Sequence, residues 1–123
     1  MFNIDGTTIH ITRGDIASID IRCETNNGVD YQFVAGDVVR FKVMEKKKVD
    51  KVKLQKDVTI EEATDVVTIV LSGDDTKIDS LINSPTKYWY EVELNPDTAP
   101  QTIIGYDTFG EKLFILYPEG DEF

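Results

Sequence analysis

Apolar and polar residues alternate with a period of two along most of the chain, which is the pattern of half-buried β-strands. The segment from Ala17 to Cys23 shows this alternation, and the segments from Val39 to Val43 and from Tyr88 to Leu94 repeat it. Turn-forming residues such as glycine, asparagine and aspartate separate these segments at spacings of about ten residues. The pattern therefore predicts seven or eight strands.

One segment departs from the period of two. Ser72 and Asp75 have the three-residue spacing of a capping box at a helix start. Ile78, Leu81 and Ile82 then recur at helical spacing before a proline. We expect one short helix here, one or two turns long.

Many short strands with regular turns predict an all-β fold, arranged as an antiparallel β-sandwich in a single domain spanning residues 1–123. A chain of this length buries enough surface to fold without metals or disulfides. The alternative architecture is a partly open barrel.

Three strands are candidates for the edges of the sheets. The segment from Lys51 to Lys56 is rich in lysine, and such charges protect an edge strand against pairing with another chain. The first strand, Thr7 to Ile11, and the last, Lys112 to Tyr117, carry fewer charges. We expect these two strands to be unprotected edges that are open to a partner.

The acidic composition restricts the classes of partner. Thirteen basic and twenty-three acidic residues give a net charge of −10 and a pI near 4.4. Nucleic-acid-binding proteins usually carry the opposite charge, so we expect no nucleic-acid partner. No apolar run reaches the 18 or so residues of a membrane span, so we also expect no membrane partner.

The residues that usually carry catalysis are scarce. His10 is the single histidine and Cys23 the single cysteine, and both lie in predicted strands, His10 on a polar face and Cys23 on an apolar one. One histidine and one cysteine cannot form a structural zinc site. The acidic pair Asp74 and Asp75 lacks the spacing of a calcium-binding loop. We therefore predict no catalytic residues, no cofactor, no metal and no enzymatic activity.

Apolar residues beyond the needs of the core indicate a protein interface. Alternation in the strand from Tyr88 to Leu94 places Trp89 on the outer face. In the segment from Lys112 to Tyr117, we expect the odd-numbered residues to face inward and Phe114 and Leu116 to face outward. Aromatic and large apolar side chains on an outer face often mark protein interfaces. The candidate interface residues are thus Trp89, Phe114 and Leu116, and the alternative is that a helix or loop covers these side chains.

Carbohydrate binding is a second function that the exposed aromatic residues allow. Sandwich domains also bind carbohydrates on exposed aromatic side chains, and Trp89, Tyr31 and Tyr106 are candidates. A flat aromatic platform with nearby carboxamides favours sugar binding, whereas a continuous apolar patch on one sheet favours a protein partner.

The order of strand and turn motifs resembles a known family. The segments that carry the resemblance are ITRGD at 11–15, FVAGDVVRFKV at 33–43, Asp75 with Thr76, Leu81, YWYEVEL at 88–94, Gly105 and LFILYPE at 113–119. They resemble the N-terminal immunoglobulin-like domain of phage baseplate upper proteins, which is common in phages and prophages of Gram-positive bacteria. The resemblance covers residues 7–119 and implies an immunoglobulin-like β-sandwich.

The resemblance also implies a function. Such a domain is a non-catalytic structural adaptor of the tail or baseplate, a virion component made in the bacterial cytoplasm. The expected partners are other phage structural proteins or a second copy, and self-association would give a dimer or small ring. Members of the family continue into long C-terminal regions, whereas this sequence stops at Phe123. A separate small subunit and a part of a longer protein both stay open.

Overall fold

The computed structural model describes residues 1–24, 27–45, 48–79, 82–106 and 110–120. This part of the chain holds nine β-strands and no helix. In chain order the strands are β1 (Phe2–Asp5), β2 (Thr8–Thr12), β3 (Ala17–Ile21), β4 (Val38–Glu45), β5 (Lys48–Thr59), β6 (Val67–Leu71), β7 (Thr86–Leu94), β8 (Gln101–Ile104) and β9 (Leu113–Tyr117).

The strands form two sheets of unequal size. The larger sheet has seven strands in the order β1-β2-β9-β7-β4-β5, with β8 also paired to β7. The smaller sheet holds only β3 and β6. All pairs are antiparallel except β2 with β9, which run parallel. The predicted all-β, immunoglobulin-like sandwich is therefore confirmed, and the predicted purely antiparallel pairing is wrong for this one pair.

The core lies between the two sheets and follows the predicted alternation. Val39, Phe41 and Val43 of β4 are fully buried, and Ile19 of β3 faces them from the smaller sheet. The ring of Phe41 packs between Tyr90 and Phe114, with centroid distances of 5.7 Å and 6.5 Å. Such aromatic packing adds to the free energy of area burial. Three core residues come from outside the strands, namely Phe33, Ile60 and Ile78.

The predicted orientation of the last strand is wrong. Phe114 and Leu116 are 0% exposed in the core, whereas Leu113, Ile115 and Tyr117 are half-buried. All five residues of β9 are apolar or aromatic, so their alternation does not define an inward face. The neighbouring strand does define one, because Ile9 and Ile11 of β2 lie in register with Phe114 and Leu116 and are also buried.

The predicted edge strands are corrected in part. The lysine-rich strand β5 is confirmed as an edge of the larger sheet. The first predicted strand, β2, lies instead between β1 and β9, and β9 lies between β2 and β7. β2 is not an edge because the short strand β1 pairs with it and forms the other end of the sheet. β9 is not an edge because it pairs with both β2 and β7. The sequence also predicts that the basic cluster at residues 46–48 is the solvated tip of a hairpin, and Lys46 and Lys47 of this cluster lie outside the described residues.

The predicted short helix is not formed within the described residues. Ser72 and Asp75 make a reciprocal capping box, in which each backbone N–H donates to the other side chain at 2.8 Å and 3.2 Å. The turn ends quickly, because Asp79 has a φ of 60°, which is left-handed backbone that an α-helix cannot continue through. Ile78 enters the core instead. Leu81 lies outside the described residues.

A polar network holds the loop before β4 against the end of β7. The Asp37 carboxylate accepts hydrogen bonds from the Val34 N–H at 3.0 Å, the Tyr31 hydroxyl at 2.9 Å and the Asn95 amide at 3.1 Å. The Asn95 amide oxygen in turn accepts from the Val38 N–H at 2.8 Å. Because Asp37 is buried, this network satisfies a carboxylate that would otherwise destabilise the fold.

A buried hydroxyl joins the loop after β2 to the loop after β6. Thr76 is 0% exposed, and its Oγ1 accepts from the Gly14 N–H at 2.9 Å. The same hydroxyl lies 2.8 Å from the Asp15 carbonyl and 3.2 Å from the Gly73 carbonyl, to which it can donate. Thr76 thereby satisfies main-chain groups of both loops.

We expect Thr76→Val to lower the free energy of unfolding by about 1–3 kcal/mol, since it leaves a donor and an acceptor unsatisfied in a site of nearly unchanged shape. Urea denaturation measures this change. Thr68→Val is the matched control, because the exposed Thr68 hydroxyl donates only to the exposed Asp20 carboxylate. Its effect should stay within about 0.5 kcal/mol. Equal losses in the two variants would contradict the role of Thr76.

We expect acid to destabilise the protein partly through Asp37. Burial alone would raise the pKa of Asp37, but the hydrogen bonds from Val34, Asn95 and Tyr31 outweigh burial and hold this pKa below its ordinary value. Stability from such a group is present above the unfolded-state pKa of about 3.9 and is lost as the pH falls through the folded-state pKa.

Asp37→Asn should therefore be less stable than the wild type at pH 7, by about 1–3 kcal/mol, and its stability should depend less steeply on pH below about 4. Urea titrations from pH 7 to pH 2 give both quantities. Glu62→Gln, which removes one negative charge from an exposed side chain, is the control and should keep the wild-type stability at pH 7. An unchanged slope in Asp37→Asn would show that other carboxyl groups cause the acid sensitivity.

Candidate functional site

The outer face of the larger sheet carries a continuous group of half-buried apolar side chains. We call Trp89 of β7 with Leu113, Ile115 and Tyr117 of β9 the outer band. Their neighbours along each strand are buried in the core, so these four side chains lie on the opposite face. Trp89 lies in register with Leu113, which joins the two strands' contributions into one surface.

Trp89 lies at one end of the outer band in an aromatic stack. Its ring lies 6.1 Å from that of Tyr106 at an interplanar angle of 28°. Tyr106 is 72% exposed and therefore extends the apolar surface into solvent. The Trp89 indole Nε1 is shielded from solvent and has no hydrogen-bond acceptor among the described residues. Met44 of β4 lies in register with Trp89 and is 3% exposed, although it does not belong to the core cluster.

The other end of the outer band is polar. The Tyr117 hydroxyl lies 2.8 Å from His10 Nδ1, and the two rings are tilted at 35° with centroids 5.8 Å apart. His10 lies on the outer face of β2, because Ile9 and Ile11 on either side of it are buried. The predicted surface position of His10 is confirmed.

Much of the rest of the outer face is charged. Lys87 is exposed beside the outer band, in register with Ile115, and the charges farther along the sheet are paired with one another. Lys42 Nζ lies 2.9 Å from a Glu91 carboxylate oxygen and 2.8 Å from one of Glu93. Burial alone would lower the pKa of Lys42, but these two carboxylates raise it above its ordinary value. Arg40 pairs with Asp57 at 2.9 Å and also contacts Asp97. Since Lys42 and Arg40 already have partners, the outer band is the part of this face best suited to bind an apolar surface.

Of the three predicted interface residues, only one lies on the outer face of the larger sheet. Trp89 lies in the outer band, whereas Phe114 and Leu116 lie in the core and cannot contact a partner. The sequence analysis missed Leu113, Ile115 and Tyr117, which it expected to face inward. The polar residue His10 is the signal that could have identified them. It lies on β2 in register with Ile115 of β9, so an outward His10 indicates an outward Ile115.

The three aromatic residues proposed for carbohydrate binding do not form one platform. Trp89 and Tyr106 stack on each other, which occupies one face of each ring. Tyr31 packs edge-on against Phe33 at 5.0 Å and donates its hydroxyl to Asp37. It lies against the core cluster, away from the outer face that holds Trp89.

The candidate reactive groups are weakly placed for chemistry. Cys23 is half-buried beside the core, and burial raises the pKa of its thiol, so little of it is thiolate at neutral pH. No group of three or more histidine, cysteine, aspartate or glutamate side chains that could hold a metal ion occurs among the described residues.

A separate apolar cleft opens between the two sheets. It has a volume of about 460 Å³. Ile19 and Ile21 of β3 form one wall, and Ile103 and Ile104 of β8 form another. Ile4 of β1 also lines the cleft and is 45% exposed. The residue in register with it on β2, Ile9, faces inward and is buried. The larger sheet is thus left partly uncovered at this place.

The described part of the chain contains no helix of the length and apolarity that crossing a membrane requires. Comparison with known proteins gives no relative: no family model matches the chain, and neither a curated protein nor a solved structure matches it significantly.

Proposed function

We propose that this chain is a non-catalytic adaptor domain of a phage or prophage tail or baseplate, which binds another structural protein or a second copy of itself. The outer band is the observation that carries the proposal. Trp89, Leu113, Ile115 and Tyr117 form a continuous apolar surface on one sheet, and Lys42, farther along the same face, is already paired with Glu91 and Glu93. A continuous apolar patch of this kind is typical of protein-binding surfaces.

The phage context of the proposal comes from the order of strand and turn motifs described above. An immunoglobulin-like sandwich agrees with that resemblance, but this fold serves many functions, so the fold alone does not identify the partner. Under this proposal the protein is made in the bacterial cytoplasm and is incorporated into the virion.

A carbohydrate-binding module is the second candidate. The stack of Tyr106 on Trp89 favours it, because one face of the 72%-exposed Tyr106 ring remains available to a sugar ring. Tyr31 does not contribute to this surface. Under this alternative, Tyr106→Ala should lose binding on an array of bacterial cell-wall glycans, whereas Ile115→Glu should bind as the wild type does.

The adaptor proposal makes a direct prediction about assembled particles. We expect the chain to be present in phage particles purified after prophage induction of the strain that encodes it, as measured by immunoblot and mass spectrometry. Ile115→Glu should be at least tenfold depleted from the particles, because it places a charge in the middle of the outer band.

Val70→Glu is the matched control for that experiment. Val70 is 53% exposed on β6 of the smaller sheet, so the same change of chemistry lies on another face. Circular dichroism should show that both variants are folded. Depletion of both variants to the same degree would contradict the role of the outer band, and absence of the wild-type chain from all particles would contradict the adaptor function.

A further inference from the structure

The outer edge of β3 has no neighbouring strand. β3 pairs with β6 alone, from Ala17 opposite Leu71 to Ile21 opposite Val67. Among the described residues, no backbone hydrogen bond outside the β3–β6 ladder reaches residues 17–21. An unpaired strand edge presents a row of backbone donors and acceptors that another strand can use.

The apolar cleft lies directly beside this open edge. Its floor is the core of the larger sheet, at Phe41, Tyr90 and Val92, and Ile19 and Ile21 of β3 line one side. A strand added to the outer edge of β3 would lie over the cleft. Because successive side chains on a strand point to opposite faces, every second side chain of that strand would enter it.

We propose that β3 accepts an extended segment of a partner protein as an added strand, whose inward apolar side chains fill the cleft. The open backbone edge specifies a polypeptide rather than a small apolar molecule, since only a polypeptide offers matching donors and acceptors along its length. None of the four outer-band residues lines the cleft, although Tyr106, which stacks on Trp89, does, so the proposal goes beyond the adaptor function argued above.

Charge specifies the chemistry of the segment. Asp20 is exposed at an outward position of β3, and its carboxylate accepts only a short side-chain bond from Thr68, at 2.7 Å, among the described contacts. A lysine or arginine opposite Asp20 would make a favourable cross-strand pair. A second copy of this chain offers the lysine-rich edge strand β5, but its net charge of −10 adds a long-range repulsion that a basic partner does not have. The occupant is therefore a segment of a different protein with basic outward positions.

The inward positions have a different requirement. Lys112 also lines the cleft, is 7% exposed and donates its ammonium to the Gly110 carbonyl at 3.3 Å. The walls of the cleft are largely isoleucine, so a charged side chain pointing inward would lose its hydration without gaining a polar partner there. The segment thus alternates apolar inward residues with basic outward residues.

The test uses a blocked eight-residue peptide of alternating valine and lysine, titrated into the whole protein by calorimetry. We expect saturable binding, at least tenfold weaker binding to Asp20→Lys and to Ile4→Glu, and a preference of Asp20→Lys for the corresponding valine–glutamate peptide. Hydrogen exchange should show the amides of Ala17–Ile21 newly protected by the valine–lysine peptide.

Two controls separate strand addition from simpler causes. Glu62→Lys makes the same change of charge at another exposed site and should bind the peptide as the wild type does. A valine–lysine peptide with every backbone nitrogen methylated should not bind. Equal losses in Glu62→Lys and Asp20→Lys, binding of the methylated peptide, or unchanged exchange at β3 would each overturn the proposal.

A further variant separates this proposal from the adaptor function. Ile115→Glu lies in the outer band and should retain peptide binding. If the peptide fails to bind while the wild type still enters particles through the outer band, strand addition is wrong and the adaptor function stands.

Discussion

Two strands have to cover the inner face of a seven-stranded sheet, and most other features of the molecule follow from this imbalance. The smaller sheet covers only part of the larger one, and its strand β6 lies near the edge strand β5. On this side, side chains from loops add to the cover, with Phe33, Ile60 and Ile78 all entering the core cluster. Beyond β3, no described segment completes the cover, and the cleft lined by Ile19 and Ile103 remains. One side of the sandwich is thus closed by loops and the other stays open.

Loops that take the place of strands need their backbone groups satisfied by side chains, because they have no ladder to satisfy them. This requirement accounts for the polar residues that are buried near the core. Asp37 holds the loop that delivers Phe33, and Thr76 holds the turn before Ile78. Asp79 fixes the far end of that turn, where its carboxylate accepts from Lys53 Nζ at 2.7 Å and from the Tyr88 hydroxyl at 2.6 Å. Polar contacts of this kind therefore fix the positions at which Phe33 and Ile78 enter the core.

The sequence predicts the fold well wherever the polar positions of a strand are unambiguous. Ala17–Ile21 has serine and aspartate at its outward positions, so its inward face was predicted correctly. In β9, LFILY offers no polar position, and only the register with β2 defines the inward face. The four residues of β1 are too few to give a period, and its pairing with β2 was therefore missed.

The candidate site was harder to predict than the fold, because it depends on contacts between distant parts of the chain. The position of Trp89 follows from local alternation, and it was correct. The outer band also needs Leu113 and Ile115, whose orientation depends on a parallel pairing across about a hundred residues. The capping box at Ser72 is present, as its spacing predicts. The left-handed backbone at Asp79 nevertheless prevents a helix, and no short-range sequence pattern predicts that conformation.

The parallel pairing of β2 with β9 has a mechanical consequence. The chain enters β2 at Thr8 and leaves β9 at Tyr117, and these two points lie at opposite ends of the paired strands because the strands are parallel. A pull along the chain would first peel β1 from β2, since antiparallel hairpin bonds open one at a time. It would then load all the bonds between β2 and β9 together in shear. Because these bonds would have to break together, this geometry would slow unfolding under force and make the domain resist rupture in an assembly that carries tension through it.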